Sequence, residues 1–121
     1  MECLFCKIMD GEVPSYTLYE DELVKVILDA YPDVDGHTLI IPKKHYDTFK
    51  DIPDDVLLHI NKVSKEMTDY LMEKLNAKEL TVVVNYGSAQ KIKHYHMHLL
   101  PNFGTRAEKT SEETYKFLKG E

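Results

Sequence analysis

The chain has 121 residues, a size at which one domain buries roughly two-thirds of its surface and two independent enzymatic domains do not fit. Its 15 Lys and Arg are outnumbered by 21 Asp and Glu, and the net charge of −6 argues against a protein that binds long nucleic acids. No apolar run approaches the roughly 20 residues of a membrane span, and the N-terminus lacks a signal-like stretch, which predicts a soluble cytoplasmic protein with no membrane partner.

The first part of the chain predicts three strands. Tyr16–Tyr19 and Leu23–Leu28 are rich in β-branched and aromatic residues, and the acidic turn between them favours a hairpin. After a turn-rich stretch, residues 37–41 form a third β-branched run, which Pro42 ends.

The middle of the chain predicts one long amphipathic helix. Between Pro53 and Leu75 the apolar residues recur at spacings of three and four, the period of a helix with one buried face. Asp54 and Asp55 at its start are favourable for the helix dipole. On this helix His59 lies outside every motif and is interpreted as a solvated or partly buried side chain.

The last third predicts two more strands and a short helix. Leu80–Val84 is a continuous β-rich run, and His94–Leu100 alternates strictly until Pro101. Thr110 and Glu113 have the spacing of a capping box that opens a helix to about Leu118. The sum is a single α+β domain over residues 1–121, with an antiparallel sheet of about five strands, one long helix and a short C-terminal helix.

Three histidines occupy alternate positions in the last predicted strand. Period-2 geometry sends His94, His96 and His98 to one face and the residues between them to the other. Aligned imidazoles need polar partners that an apolar core does not supply, so we predict that this face of the strand is a functional site. One zinc ion held by all three is disfavoured, because the outer pair lies ~13 Å apart at Cα whereas zinc ligands lie ~2.0–2.1 Å from the metal. A histidine nucleophile and a phosphate-binding array remain.

The charge around these histidines supports a phosphate. From Tyr86 to Arg106 the chain carries Lys91, Lys93 and Arg106 and no acidic residue, in a molecule that is acidic overall. A chance fluctuation in a short window is the alternative interpretation.

The histidine motif resembles the H-φ-H-φ-H-φ-φ signature of the histidine triad (HIT) superfamily. Further matches follow in the right order: Phe-Cys-Lys-Ile near the start, Leu-Asp at 28–29, Gly-His-Thr-Leu-Ile-Ile-Pro-Lys-Lys-His at 36–45, and Asn85-Tyr-Gly with Gln90. The pattern is nearest the Hint-like branch. This resemblance implies a HIT-like fold and a homodimer that binds purine nucleotides or nucleotide conjugates.

The resemblance also implies a mechanism. His96 matches the nucleophile that attacks the α-phosphate of nucleoside 5′-phosphoramidates or related anhydrides and forms a covalent nucleotidyl-histidine, a reaction that requires no metal. His98 matches a ligand of the phosphate or leaving group, and His37 matches a residue of the same pocket that fixes tautomers.

The nucleotide-binding positions come from the same resemblance. Asn85 and Gln90 match polar residues on the phosphate side, and Asp29 matches the carboxylate that holds the ribose hydroxyls. Apolar residues match the slot for the base: Leu4, Phe5, Ile8, Ile27 and Ala30. Taken singly, these residues also suit a turn, a loop and an ordinary core.

A second group has the composition of a metal site. Cys3 and Cys6 form a C-x-x-C pair, and with two distant histidines they match a Cys₂His₂ structural zinc centre in ligand number and softness. Some bacterial-type HIT proteins are similar, with ligands that correspond to Cys3, Cys6, His45 and His94. A redox pair and a thiol pair without metal are the alternatives.

Two departures from the family bear on function. Lys91 stands where many relatives have a small hydroxyl residue, and a lysine would take a phosphate as a point charge. The segment 102–121 does not resemble the tail of the Hint proteins. A nucleotide-binding regulatory module with little turnover is therefore a second hypothesis, and a zinc-dependent hydrolase is a third.

Overall fold

A computed structural model describes residues 3–120. Its elements in chain order are α1 Leu4–Met9, β1 Thr17–Glu20, β2 Val24–Leu28, β3 Thr38–Pro42, α2 Asp54–Leu75, β4 Leu80–Val83, β5 Met97–Pro101 and α3 Ser111–Leu118, with short 3₁₀ turns at Phe49–Asp51 and Gly87–Ala89. The predicted α+β class, the antiparallel sheet, the long helix and the short C-terminal helix are confirmed. None of the helices in the described part of the chain combines the length and the apolar character that a membrane crossing requires.

The five strands form one sheet in the order β1-β2-β3-β5-β4, and every neighbouring pair is antiparallel. In this register His98 of β5 lies between Leu39 of β3 and Val83 of β4. Directly opposite residues share a face of the sheet, so His98 and Leu39 point the same way. The register therefore fixes which face carries the histidines.

The long helix covers the other face. Its buried stripe packs with alternate residues of β2, β3 and β5, and the stripe consists of Val56, Ile60, Val63, Met67 and Leu71. The intervening strand residues Ile27, Leu39 and Ile41 belong to a second cluster with Phe5 and Ile8 of α1. The sheet is thus buried on both faces, by α2 on one side and in part by α1 on the other.

The N-terminal helix α1 was not predicted. It has only six residues, too few to show a helical period, and its N-cap is Cys3, whose Sγ accepts a hydrogen bond from the backbone N–H of Cys6 at 3.4 Å. A cysteine is not among the side chains that usually mark a helix start. The C-x-x-C spacing is therefore also the spacing of a helix cap.

The strand predicted at His94–Leu100 was wrong at its beginning, because β5 starts at Met97. The backbone N–H of Tyr95 donates to the carbonyl of Tyr46 at 2.7 Å, in the loop after β3, instead of joining the sheet. The alternation still holds, since Tyr95 and Met97 lie in the α2-facing core. The first two histidines are therefore held by a loop and the third by the sheet.

The turn before β3 depends on one glycine. Gly36 has φ +86°, a left-handed conformation that side chains other than glycine rarely adopt, and an added Cβ would collide with Leu75 at the end of α2. This turn delivers His37 directly to the start of β3 at Thr38.

Candidate active site and metal-binding cluster

A cavity of about 830 Å³ opens on the face of the sheet that carries α1. Its volume lies in the range of pockets that bury a small ligand. Part of its wall is apolar and consists of the residues expected around a base: Leu4, Phe5, Ile8, Ile27 and Ala30. The expected polar residues on its surface are Asp29, His37, Asn85, His96 and His98.

A hydrogen bond to the main chain holds His96 in one tautomer. Its Nδ1 lies 2.8 Å from the main-chain carbonyl of His94, and because a carbonyl only accepts, Nδ1 carries the proton. Burial lowers the pKa of His96, so the ring is neutral at pH 7 and Nε2 is unprotonated. The ring of Phe5 lies edge-on at 4.9 Å between centroids. The result is a fixed, neutral imidazole at the cavity with one free lone pair.

A chain of hydrogen bonds fixes the other two imidazoles of the cavity. The backbone N–H of Asp33 donates to Nδ1 of His37 at 3.1 Å, so the proton of a neutral His37 is on Nε2. That Nε2 lies 2.9 Å from Nδ1 of His98, which must accept and leaves the proton of His98 on its own Nε2. His98 Nε2 is buried and has no partner among the described residues. The relay thus presents one unsatisfied N–H donor.

Burial keeps both rings of this relay neutral. It is the main cause that lowers the pKa of His98 to about 4, helped by the neighbouring His96 and His37. Burial likewise lowers the pKa of His37, against the attraction of Asp29 and Asp33. At pH 7 the three imidazoles of the cavity therefore carry no formal charge.

Asp29 lies beside the relay and still reaches solvent. Its Oδ1 accepts a hydrogen bond from the backbone N–H of Tyr31 at 2.9 Å, and its Oδ2 lies 3.5 Å from His37 Nε2. The side chain is 22% exposed and lines the cavity. The hydroxyl of Ser111, at the start of α3, donates to its main-chain carbonyl. The carboxylate is thus oriented but remains available to a ligand.

Gln90 does not line the cavity, in contrast to Asn85. It is 4% exposed, and its Nε2 donates to the carbonyl of Asp47 at 2.6 Å and to that of Ile92 at 3.0 Å. The structure therefore places Gln90 behind the cavity wall, where it joins the loop before the triad to the loop after β3. The resemblance grouped Gln90 with the phosphate-side residues, and the sequence gives no sign of the direction in which its side chain points.

Four residues at one end of α1 could hold a metal ion. The ligand atoms of Cys3, Cys6, His45 and His94 all lie within 4.8 Å of one another. Cys3 Sγ is 3.4 Å from His94 Nδ1, and Cys6 Sγ is 3.3 Å from His45 Nδ1 and 3.6 Å from His94 Nδ1. A sulfur and a nitrogen on one tetrahedral zinc ion lie ~3.5 Å apart. The cluster has the dimensions of such a site.

The outer nitrogens of both histidines support this interpretation. His94 Nε2 lies 2.8 Å from the carbonyl of Pro42, and His45 Nε2 lies 2.7 Å from Oδ1 of Asp47. Both partners accept, so each Nε2 carries a proton and each Nδ1 turns a lone pair toward the thiols. Metal-bound histidines are usually oriented by such outer partners.

The thiol chemistry does not favour a redox pair. Burial is the main cause that raises the pKa of Cys6 to about 11, and the neighbouring Cys3 raises it further. A redox C-x-x-C motif needs a lowered thiol pKa, since the thiolate is the nucleophile. The nearby histidine nitrogens instead suit a metal that would ionise both thiols on binding.

The side chains of Asp29, His37 and His98 also cluster within 4.8 Å. Their geometry is that of a hydrogen-bonded relay, because the proton on His37 Nε2 occupies the space between the two rings. His96 belongs to neither this cluster nor the cysteine cluster. The structure therefore gives no support to a single metal ion shared by the three histidines of the motif.

The cavity lining also includes residues that were outside the predicted site, among them Tyr16, Tyr31 and Asp33. The contribution of Asp33 to the relay comes from its backbone N–H, which any residue except proline offers, so no sequence signal could have identified it. Lys91 also lines the cavity, as its position beside the motif suggested.

Comparisons with known proteins place the chain among related sequences and structures. The HIT domain family model matches residues 10–105. An uncharacterized HIT-like protein of Methanocaldococcus jannaschii is 42% identical over 103 residues, which are 84% of this chain and 79% of that protein. Adenosine 5′-monophosphoramidase HNT1 of Candida albicans is 40% identical over 105 residues, which are 82% of this chain and 69% of that protein. The crystal structure of a zinc-bound histidine triad family protein from Mycobacterium smegmatis has a TM-score of 0.88 at 33% identity and covers 99% of this chain and 92% of its own.

Proposed function

The chain belongs to the HIT domain family, and from that membership we propose that it is a nucleotide hydrolase or transferase that cleaves nucleoside 5′-phosphoramidates or related nucleotidyl anhydrides at the α-phosphate. The observation that carries the proposal is the pairing of a neutral nucleophile with a separate N–H donor. His96 has a free Nε2 lone pair, and His98 has an unsatisfied Nε2–H beside it, with 4.8 Å between the ring centroids. The name of the Candida albicans relative, a monophosphoramidase, supports the substrate class.

The proposed reaction has two steps. His96 Nε2 attacks the α-phosphorus, a nitrogen–phosphorus bond forms, and the bond to the leaving group breaks with its electron pair on the leaving atom. Water then attacks the phosphorus, and the electron pair of the broken bond returns to His96. One water molecule is consumed overall: its oxygen ends on phosphorus with one of its hydrogens, and its other proton ends on the leaving amine or anion.

The neighbouring groups stabilise this sequence. The phosphorylated His96 ring is cationic, and the carbonyl of His94, 2.8 Å from Nδ1, accepts the hydrogen bond that this charge strengthens. His98 Nε2–H donates to the leaving atom or to a phosphate oxygen, where a donor fixed before reaction has its greatest effect. The role of His37 is to keep that proton on His98 Nε2.

The nucleotide lies along the cavity in this proposal. The apolar wall, which includes Leu4 and Ile27, holds a purine base, Asp29 accepts from the ribose hydroxyls, and Asn85 donates to the phosphate. Gln90 has an indirect role in this proposal. Its hydrogen bonds to the carbonyls of Asp47 and Ile92 fix the loop that carries Asn85.

We also propose that the cysteine cluster binds a structural Zn²⁺. Its two thiols and two oriented Nδ1 atoms match zinc in softness, number and spacing, and the Mycobacterium smegmatis relative is described as zinc-bound. When bound, the ion would supply four bonds that fix α1 and His94. The chemical steps above use no metal.

We further propose that the protein is a homodimer in the cytoplasm. The edge strand β4 presents Val82, which is 50% exposed, and the adjoining Val84 is 39% exposed. An open edge with apolar side chains suits pairing with a second copy. A reducing compartment would keep Cys3 and Cys6 available for the metal. The mass of the particle by light scattering tests the dimer.

The nucleophile is tested by His96→Ala. We expect this variant to lose turnover of adenosine 5′-phosphoramidate by at least about 10⁴-fold while it still binds AMP, because the base and ribose contacts remain. Rapid quench of the wild type followed by mass spectrometry should find AMP attached to His96. A matched control is His59→Gln, since His59 lies on α2 and bonds to Asp21. Turnover by His96→Ala would exclude the mechanism, and tight binding without turnover by the wild type would favour the regulatory module.

A further inference from the structure

Lys91 is a cation built into the wall of the cavity. It lies in the loop 84–96 between Asn85 and His96, and all three of these residues line the cavity. The side chain is exposed and makes no ion pair with any carboxylate in the described part of the chain. Its amino group is therefore available to a ligand.

The backbone on both sides of Lys91 is anchored. Gln90 is buried and bonds to the carbonyls of Asp47 and Ile92. Ile92 packs against the apolar cluster that contains Phe5 and Ile8. Lys91 thus has anchored neighbours and an exposed amino group on a flexible four-carbon stem, which can reach charged groups at more than one position.

Lys91 offsets the negative charge of the cavity lining. Two carboxylates line the cavity, Asp29 and Asp33, and Lys91 is the only Lys or Arg among the described residues that do so. Without it, the formal charge of the lining would be −2. A phosphate, and still more a second anionic group beyond it, would then enter against repulsion at low dielectric.

We propose that Lys91 is the specificity-determining residue of the leaving-group side, and that it makes this protein prefer nucleotides whose leaving group is itself an anion over those that release a neutral amine. This inference rests on the proposed function, and it names the substrate class within it. The preferred class consists of AMP joined to phosphate, to sulfate, or to an amine that carries a phosphonate or carboxylate.

The reach of the residue supports the leaving-group side. Lys91 enters the cavity from the loop before the triad, the segment that also carries Asn85, to which the proposed function assigns the phosphate. The α-phosphate must lie at His96 in any productive complex. A cation on this loop therefore adds most to a substrate that carries further negative charge next to the α-phosphate.

The kinetic experiment varies only the charge of the leaving amine. Three AMP phosphoramidates are compared, made with ethylenediamine, n-propylamine and 2-aminoethylphosphonate, so that the same kind of P–N bond breaks beside a positive, a neutral and a negative group. We expect kcat/KM of the wild type to rise from the first to the third. Lys91→Gln should lower kcat/KM for the phosphonate by about tenfold or more, the size of one charge-assisted hydrogen bond, and lower it by a clearly smaller factor for the neutral substrate, whose only negative charge is that of the α-phosphate.

Three controls make the result specific. Lys91→Arg should keep the order of substrates. Lys93→Gln removes the same charge from the same loop, but Lys93 does not line the cavity and its Nζ donates to the carbonyl of Gly87 at 3.0 Å, so the order should again be kept. The preference for the phosphonate should also shrink as ionic strength rises. An equal change for all three substrates in Lys91→Gln, or no change, would overturn the inference.

A binding experiment separates this inference from the proposed function. The affinities of AMP, ADP and ATP are measured by calorimetry on the wild type and on Lys91→Gln. We expect the gain from AMP to ADP in the wild type to be lost in the variant. If the wild type hydrolyses none of the phosphoramidates, the proposed function fails, and this series alone decides the role of Lys91: an unchanged gain from AMP to ADP excludes it.

Discussion

His96 donates its Nδ1 proton to the main-chain carbonyl of His94 at 2.8 Å, while the side chain of His94 turns its own Nδ1 toward Cys3 Sγ at 3.4 Å. One residue thus belongs to the candidate metal site through its side chain and to the candidate active site through its backbone. Helix α1 forms a second link, because it carries Cys6 and also Phe5, whose ring contacts His96.

This double link predicts that metal loss weakens nucleotide binding more than it slows chemistry. In Cys6→Ser we expect zinc below one ion per chain, a decrease in the free energy of unfolding of more than about 2 kcal/mol, and weaker AMP binding because Phe5 and Ile8 lose their fixed position. The kcat of saturated enzyme should fall less, since the bond from His96 to the carbonyl of His94 does not need the metal. Metal analysis, thermal unfolding and AMP titration measure the three quantities.

A control for this prediction leaves the metal ligands unchanged. Ile8→Val removes one methyl group from the same helix, and it should weaken AMP binding slightly with zinc content unchanged. If the zinc-free variant bound AMP as tightly as the wild type, the link through α1 would be wrong.

The sequence predicted those parts of the fold that have a long period or a specific cap. The 22 residues of α2 repeat their apolar spacing often enough to define the helix, and Thr110 and Glu113 form both bonds of the predicted capping box. Helix α1 is too short for such a signal, and the true start of β5 depends on a bond between Tyr95 and Tyr46, which are 49 positions apart. Contacts of that kind are set by tertiary packing.

The candidate site was likewise predicted only in part from the sequence. The triad spacing predicted that the three histidines share a face, and the resemblance supplied the cysteine cluster. Neither could supply the tautomers, because those depend on the Asp33 N–H and on the carbonyls of His94 and Pro42. Nor could they show that Gln90 points away from the cavity. Side-chain direction in a loop depends on which neighbouring carbonyls are unpaired.

A second prediction concerns the attachment of α2 to the first hairpin. Burial alone would raise the pKa of Asp21, but hydrogen bonds from Tyr19, His59 and the backbone N–H groups that follow Asp21 lower it to about 2. A lowered carboxyl pKa contributes stability that is present above the ordinary value of 3.8 and is lost as the pH falls toward 2. We expect Asp21→Asn to lower the free energy of unfolding by about 2 kcal/mol at pH 7.

The pH dependence of unfolding distinguishes the loss of the Asp21 charge from a loss of stability that the substitution would cause at every pH. The difference between wild type and Asp21→Asn in denaturant unfolding should be constant from pH 7 to about pH 5 and should shrink below pH 4. Glu112→Gln is the matched control, because its ion pair with Lys116 is exposed on both sides and should contribute little. A difference that persists undiminished to low pH would show that Asp21 acts through its shape and not its charge.

The third prediction concerns the neutral histidine relay. Burial lowers the pKa of His98 to about 4 in the folded chain, against 6.5 for an ordinary histidine. Between these two values the unfolded chain binds a proton at this residue and the folded chain does not. Stability from this group is therefore complete above pH 6.5 and is lost progressively as the pH falls toward 4. Between pH 7 and pH 5 we expect the wild type to lose about 2 kcal/mol more than His98→Gln, whose amide has no such proton to bind.

The measurement is urea unfolding of both proteins at the two pH values, in the same buffer and with the metal content of each checked. Acid also weakens metal binding by protonating its ligands, but that effect is common to the two proteins and cancels in the comparison. Glu112→Gln is the control again and should lose as much stability as the wild type, because its exposed ion pair with Lys116 lies outside the relay. Equal losses in wild type and His98→Gln would mean that His98 is not kept neutral by burial. The N–H donor at Nε2 would then be better explained by a charged imidazolium, and the assignment of the relay proton to His37 Nε2 would have to be abandoned.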